Sequence, residues 1–244
     1  MIKFFRNIRQ NLLSKGKTGK YFKYAIGEII LVVIGILIAL QINNWNQNRI
    51  ERKKESNYIE NINKEFKLNR AQLDSVTFYH YKVYINATKI LNLMPIDINT
   101  INKDSLSIYI SETFNHYTFN PQQSSVNSLT NTSTFETISN LELRRLLQKW
   151  DELVKDYKEE ELLFRNYSFD NFIPYISKHI SLKAFTNKTN ILDHNNVTYT
   201  FLNSLEFENA IALRKGLMSD VILGSELKEV HETIDRIIVL TTTK

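Results

Sequence analysis

The sequence predicts an all-α protein in which one N-terminal transmembrane helix continues into an extracytoplasmic bundle of long antiparallel helices. Three observations predict this fold. Residues 25–42 are almost entirely apolar, and the chain after them repeats apolar residues at intervals of three and four. The whole chain of 244 residues holds only three prolines and six glycines, and strand-like alternation is nearly missing.

The apolar run is long enough to cross a bilayer. Eighteen helical residues cover about 27 Å, close to the thickness of the hydrocarbon core. Glu28 is the only ionisable residue in the run and lies near its start, where it either reaches the inner headgroups or pairs with another membrane helix. We therefore predict a transmembrane helix at residues 24–44, which contains Ala25, Glu28, Gly35, Ala39 and Ile42. Gly35-x-x-x-Ala39 is a small-xxx-small pattern that favours helix–helix packing.

Charge predicts the orientation of this helix. Residues 1–23 carry seven Lys or Arg and no acid, whereas four basic residues occupy the first eighteen positions after the run. The more basic flank stays in the cytoplasm, so we expect a cytoplasmic N-terminus and a periplasmic C-terminal domain at a bacterial inner membrane. No small-x-small cleavage site follows the run, so we interpret it as an uncleaved signal anchor.

The tail of residues 1–23 is either a short amphipathic helix on the inner leaflet or a disordered basic segment. It also accounts for the net charge of +5, because residues 24–244 are slightly acidic. We therefore expect no nucleic-acid partner. Cysteine is absent, which excludes disulfides and thiolate metal sites.

A stalk helix is predicted to begin the domain of residues 45–244. Its apolar seam, interrupted only by two polar residues and ended by Pro95, consists of Ile59, Ile62, Phe66, Asn69, Leu73, Val76, His80, Val83, Ala87, Ile90 and Met94. Asn69 and His80 either set the register of the bundle, with His80 as a pH sensor, or are satisfied by neighbouring hydrogen bonds.

Three further helices are predicted. Asp104 is the expected N-cap of a short one, and Ser139-x-x-Glu142 is a capping-box pattern at the start of a longer one that Pro174 ends or kinks. A last helix at residues 204–240 contains Gly216 and Gly224 as points of bending or close crossing. Residues 118–134 and 183–200 are expected to be loops.

We find no pattern typical of catalysis, of a cofactor site or of a metal site. None of the five histidines lies in HExxH or follows a Glu by three positions, and no glycine-rich phosphate loop occurs. The pair Glu112 and His116 is expected to be an ordinary surface pair. Glu159, Glu160 and Glu161 are consecutive, so we expect them to spread around a solvated helix face.

The densest aromatic stretch offers a candidate interaction surface at Phe78, Tyr79, Tyr81 and Tyr84. The alternative interpretation is a helix that uses these large side chains for packing on more than one side.

Two segments resemble a known family: the opening MIKFFRNIRQNLL and the apolar stretch YAIGEIILVVIGILIALQINNWN. The family consists of single-span proteins of unknown function found in bacteria of the Bacteroidota, and a weaker similarity extends over residues 125–150. This resemblance implies an inner-membrane protein with a helical extracytoplasmic domain, and it implies no catalytic residue.

The apolar segment also resembles the N-terminal helix of type IV pilins, with Glu28 at the fifth mature position. Lys23 then stands directly before the cleavage point, where the processing peptidase of that system requires glycine; the nearest glycine is Gly19.

The sequence thus predicts a membrane-anchored helical bundle that acts by binding, as an adaptor, assembly factor or sensor ectodomain. Its expected partners are the lipid bilayer and another membrane or envelope protein, with self-association as a further option. The alternatives are a pilin-like or scaffold subunit and an envelope enzyme with an unrecognised site.

Overall fold

The computed structural model describes Arg6 and residues 18–130, 133–186, 189–193 and 198–242. Within these residues the protein is all-α and contains no strand, which confirms the predicted fold class. The chain divides into two compact units, Met1–Ser56 and Asn57–Lys244. The predicted amphipathic helix of the tail lies outside the described residues, apart from Arg6.

The first helix, α1, comprises Thr18–Asn92. The predicted transmembrane segment and the predicted stalk therefore belong to one helix. In the first unit, side chains 29–50 are all exposed, and α1 is long and apolar enough to span a membrane. The apolar part of this exposed stretch, residues 29–42, is the surface that a bilayer would cover.

In the second unit, α1 buries the predicted seam. Nine of the seam positions are buried, including Asn69 and His80, while Ile59 and Met94 at its ends are half-buried. The helix ends before Pro95, as predicted, because proline has no backbone N–H to donate and its ring clashes with a preceding turn.

Seven more α-helices follow in the described residues. They are α2 (Lys103–Glu112), α3 (Ser124–Thr130), α4 (Leu141–Tyr167), α5 (Ile173–Ile176), α6 (Leu182–Thr186), α7 (Leu205–Leu223) and α8 (Ser225–Thr241). A π-helix at Ser168–Phe172 joins α4 to α5, and 3-10 turns occupy Ser133–Thr137 and Tyr199–Asn203. The two predicted loops therefore contain short helices.

Both predicted N-caps are wrong by one or two positions. Asn102, not Asp104, caps α2, because its side chain accepts a hydrogen bond from the Ser105 backbone N–H. Asn140, not Ser139, caps α4 by accepting from the N–H groups of the second and third helical residues. In each case an amide oxygen on an extended residue satisfies the first free donors of the helix.

The predicted last helix is two helices, because the chain breaks at Gly224. This residue has extended backbone angles, and a β-carbon there would lie 2.6 Å from the Asp220 carbonyl oxygen. Gly216, the other predicted weak point, lies inside α7 with open space around it and causes no break. Leu223, directly before the break, is exposed, whereas the apolar residues Leu227, Val230, Ile234 and Ile237 of α8 are buried.

Two apolar clusters form the core of the second unit. The first contains Phe66, Leu73, Trp150, Tyr157 and Ile234, among others, and joins α1, α4 and α8. The second surrounds the far end of α1 and includes Ile90, Leu106, Phe172, Phe207 and Ile211. The polar side chains described next lie within and between these clusters.

Candidate functional site

The chain between α2 and α3 crosses the bundle without helical structure. We call residues 113–123 the inner strap. Phe114 and Phe119 of this segment are buried, and its backbone cannot satisfy its own hydrogen bonds as a helix would. Side chains from α1, α4 and α7 supply the missing partners, and these side chains form the most polar part of the interior.

The centre of this arrangement is a buried polar network of His80, Tyr157 and Glu161. Both Glu161 carboxyl oxygens accept from the Phe119 backbone N–H, at 3.0 and 2.9 Å. His80 Nε2 lies 2.8 Å from the Tyr117 carbonyl oxygen and 3.8 Å from Glu161 Oε1. The Tyr157 hydroxyl lies 3.4 Å from His80 Nδ1. The network therefore binds the backbone of the strap at two nearby residues, Tyr117 and Phe119.

The hydrogen-bond directions in the network determine its protonation. A carbonyl oxygen only accepts, so His80 Nε2 carries a proton, and Nδ1 of the neutral ring accepts from the Tyr157 hydroxyl. A protonated Glu161 keeps one carbonyl oxygen that accepts from the Phe119 N–H. Burial agrees with this neutral state, because it raises the pKa of Glu161 to about 7 and lowers the pKa of His80. Burial also raises the pKa of Tyr157.

The prediction that Glu159, Glu160 and Glu161 form a solvated face is wrong for Glu161, which is 2% exposed. Glu161 lies four residues after Tyr157 and three before Phe164, both buried on the same face of α4. That spacing was the available signal in the sequence. The spacing alone did not predict burial of Glu161, because the N–H group that needs this acceptor belongs to Phe119, in a distant segment.

Asn69 holds the other end of the inner strap. Its side-chain amide donates to the Gln122 carbonyl oxygen at 2.8 Å and accepts from the Gln122 N–H at 2.7 Å. One turn earlier, Glu65 accepts from the Ser125 N–H and the Ser124 hydroxyl, each at 2.8 Å, at the start of α3. Asn69 is therefore satisfied by a backbone pair, which was one of the two predicted interpretations.

Arg214 of α7 binds the first part of the strap. Its side chain is completely buried and donates to the carbonyl oxygens of Thr113 and Asn115 and to the Ser168 hydroxyl of the π-helix. The guanidinium carbon lies 3.9 Å from the centre of the Phe164 ring, a cation–π contact. Burial lowers the pKa of Arg214 to about 9. No motif in the sequence pointed to this residue.

The geometry of the polar interior is that of a structural support. His80, Tyr157 and Glu161 are each at most 2% exposed, so a substrate has no route to them. A groove of about 640 Å³ lies instead beside α2 and α6. Its two carboxylates, Asp104 and Glu112, already accept from the side chains of Asn190 and Asn115.

The other histidines of the described residues make separate contacts. His116 contacts the Phe114 carbonyl oxygen and packs on Phe169, and His179 stacks on Phe201. His231 is half-buried on α8, and His194 lies outside the described residues. In the described part of the chain, no three His, Cys, Asp or Glu side chains are grouped closely enough to hold a metal ion.

The candidate interaction surface divides into two exposed and two half-buried side chains. Phe78 and Tyr81 are exposed, whereas Tyr79 stacks on Tyr117 with ring centres 4.3 Å apart. Tyr84 packs against the first core cluster, and the ammonium group of Lys215 lies 5.7 Å from its ring centre. Part of the aromatic stretch thus packs and part faces solvent.

The predicted span residues all lie in α1. Ala25 and Glu28 are half-exposed, and Gly35, Ala39 and Ile42 are exposed. A β-carbon added at Gly35 would meet no other atom within 4 Å. The small-xxx-small pattern is thus on the surface of the helix.

Fold and site together define a class: an all-α protein with one N-terminal helix apolar enough to span a membrane and a helical domain stiffened by a buried polar network. The sequence profile of DUF6090, a family of unknown function, matches residues 28–213. Because this match covers about three quarters of the chain, the protein belongs to the DUF6090 family. No curated protein and no solved structure matches it. Membership of a family of unknown function is therefore confirmed, and the description of that family as single-span proteins of the Bacteroidota stays a prediction.

Proposed function

We propose that this protein is a single-pass inner-membrane protein whose periplasmic helical domain binds another envelope protein. The observation that carries the binding role is an exposed apolar stripe on α1, formed by Phe78, Tyr81 and Ile85. These side chains are 58%, 42% and 48% exposed, and they repeat at the three- and four-residue spacing of one helix face. Soluble domains rarely leave such a face uncovered without a use for it.

The burial of the interior polar groups favours a binding role over an enzymatic one. Glu161 and His80 are bonded to the backbone of the inner strap and are closed to solvent. An enzyme needs its reacting groups within reach of a substrate. The α1 stripe, in contrast, is exposed at the surface, where another protein can reach it.

The membrane orientation is tested by single cysteines, which the native chain lacks. Ser14→Cys lies in the basic tail and Asn48→Cys follows the apolar run. In cells with a permeabilised outer membrane, we expect a membrane-impermeant maleimide to label Asn48→Cys at once and Ser14→Cys only after the inner membrane is broken. The reverse labelling pattern would overturn the proposed orientation. In a separate measurement, an intact mass that corresponds to a chain beginning at Tyr24 would favour a pilin-like subunit.

The binding role is tested by a photocrosslinking amino acid at position 78 or 81 of the full-length protein in its native membrane. The matched control carries it at position 163, where Leu163 of α4 is similarly exposed. We expect one reproducible protein adduct from positions 78 and 81 and none from position 163. Adducts of equal yield from all three positions, or none from any, would contradict binding through this surface.

A further inference from the structure

The exposed stripe of α1 has the arrangement of a coiled-coil seam. If Phe78 is assigned to heptad position a, Tyr81 falls at d, Ile85 at the next a and Thr88 at the next d. The buried seam of the same helix, through Val76, His80 and Val83, faces the bundle instead. Helix α1 therefore carries two seams on different faces, one filled by the domain and one uncovered over about three turns.

Lysines flank the uncovered seam. Lys82 and Lys89 both fall at position e, directly beside the a and d residues. Lys82 Nζ lies 5.3 Å from the centre of the Phe78 ring, and Lys89 Nζ lies 4.7 Å from the centre of the Tyr109 ring. These contacts hold the aliphatic parts of both lysine side chains against the protein surface, while the ammonium groups lie at the edge of the seam.

Little acid on the surface offsets these charges. Glu112 lies 3.8 Å from Lys82 Nζ but also accepts from the Asn115 side chain. Asp74, one turn before Phe78, is paired with Arg70. On the opposite flank, Lys215 adds a third positive charge above Tyr84. The seam is therefore apolar along its centre and positive along its edges.

The geometry points to an acidic amphipathic helix of a different protein as the occupant of this seam, with apolar residues on the Phe78–Tyr81–Ile85 stripe and carboxylates opposite Lys82 and Lys89. This inference rests on the proposed binding function and names the chemistry of the partner. Charges at the e and g positions select partners in helix pairs, so acidic residues at the edge of the partner would be favoured and basic ones repelled.

A second copy of this chain fits the seam less well. In a parallel pair of copies, the lysines at e would face the g positions, which are Thr77 and Tyr84. Neither residue carries a carboxylate, so the g positions of a second copy bring no acidic partner to Lys82 or Lys89. A different protein with Glu or Asp at these positions removes that mismatch.

The test uses the full-length protein in its native membrane, with the photocrosslinker at position 85 and the crosslinked peptide identified by mass spectrometry. We expect this peptide to be an amphipathic helical segment of another protein, with Asp or Glu beside its apolar residues. The double variant Lys82→Glu, Lys89→Glu should reduce the adduct about tenfold or more, because attraction becomes repulsion at two sites. The matched control, Lys149→Glu with Lys178→Glu, changes the same net charge at exposed positions outside α1 and should leave the yield unchanged.

Each outcome separates the inference from the proposed function. An adduct with a segment that lacks acidic residues, or one that persists in the Lys82→Glu, Lys89→Glu variant, overturns the acidic helix while binding through the surface stands. An adduct of this chain with itself overturns the different partner in favour of self-association. The absence of any adduct at positions 78, 81 and 85 overturns both.

Discussion

Replacing Glu161 by glutamine should remove a large part of the pH dependence of the stability of the domain. The amide of the introduced glutamine imitates the protonated carboxyl, because it is neutral and its oxygen can accept from the Phe119 N–H. The amide cannot ionise. In the wild-type protein, the carboxyl binds its proton more tightly when folded, because burial raises its pKa from 4.5 to about 7.

The sign and size of the effect follow from linkage. A raised pKa gives stability that is complete below pH 4.5 and is lost as the pH rises to about 7. At about 1.36 kcal/mol per pH unit, Glu161 should cost the wild-type protein about 2.5 kcal/mol of unfolding free energy between pH 5 and pH 8. His80, whose pKa is lowered, acts in the opposite direction, but it is present in both proteins. The difference between the two pH profiles therefore reports Glu161.

The measurement is urea unfolding of the full-length protein in detergent micelles at pH 5, 6, 7 and 8, followed by Trp150 fluorescence. A Trp45→Phe background leaves Trp150, which is completely buried, as the only tryptophan. Glu159→Gln is the matched control, because it removes the same charge from an exposed position on α4. If the profiles of wild type and Glu161→Gln stay parallel from pH 5 to pH 8, the neutral network is wrong.

Three further substitutions test the strap and the break between α7 and α8 by the same unfolding measurement at one pH. Asn69→Ala leaves the N–H and C=O of Gln122 unpaired and should cost about 2–4 kcal/mol; a loss below about 1 kcal/mol would show that water replaces the amide. Gly216→Ala has open space inside a helix and should stabilise by about 0.5–1 kcal/mol. Gly224→Ala places a β-carbon 2.6 Å from the Asp220 carbonyl oxygen and should cost about 1–3 kcal/mol. Equal effects of the two alanines would contradict the assigned break.

The helical content and the main seam were predictable because both depend on local periodicity. The residues of α1 from Ile62 to Ile90 repeat at helical spacing, and the structure buries them as a set. The caps were less predictable. Asn102 and Asp104 are equally good capping residues by type, and only the backbone conformation at position 102 decides which one caps α2.

The polar interior was predictable only in part. Asn69 and His80 stood out because they interrupt an apolar seam, but their partners are backbone groups of the inner strap, 53 and 37 residues away. Arg214 and Glu161 gave weaker signals, since a charged residue on a helix is usually solvated. Such a residue is buried only where a distant segment needs its hydrogen bonds. The local spacing of residues along a helix does not show where that distant segment lies.

The sequence by itself determined the apolar N-terminal helix, its basic flank, the all-α class and the seam of α1, because each is set by the local order of apolar and charged residues. The tertiary structure alone decided that residues 113–123 cross the interior, that Glu161 and Arg214 are buried to hold them, and that Phe78, Tyr81 and Ile85 stay uncovered. The physical reason is that a backbone segment outside a helix must find its hydrogen-bond partners across the fold, and those partners are chosen by three-dimensional proximity.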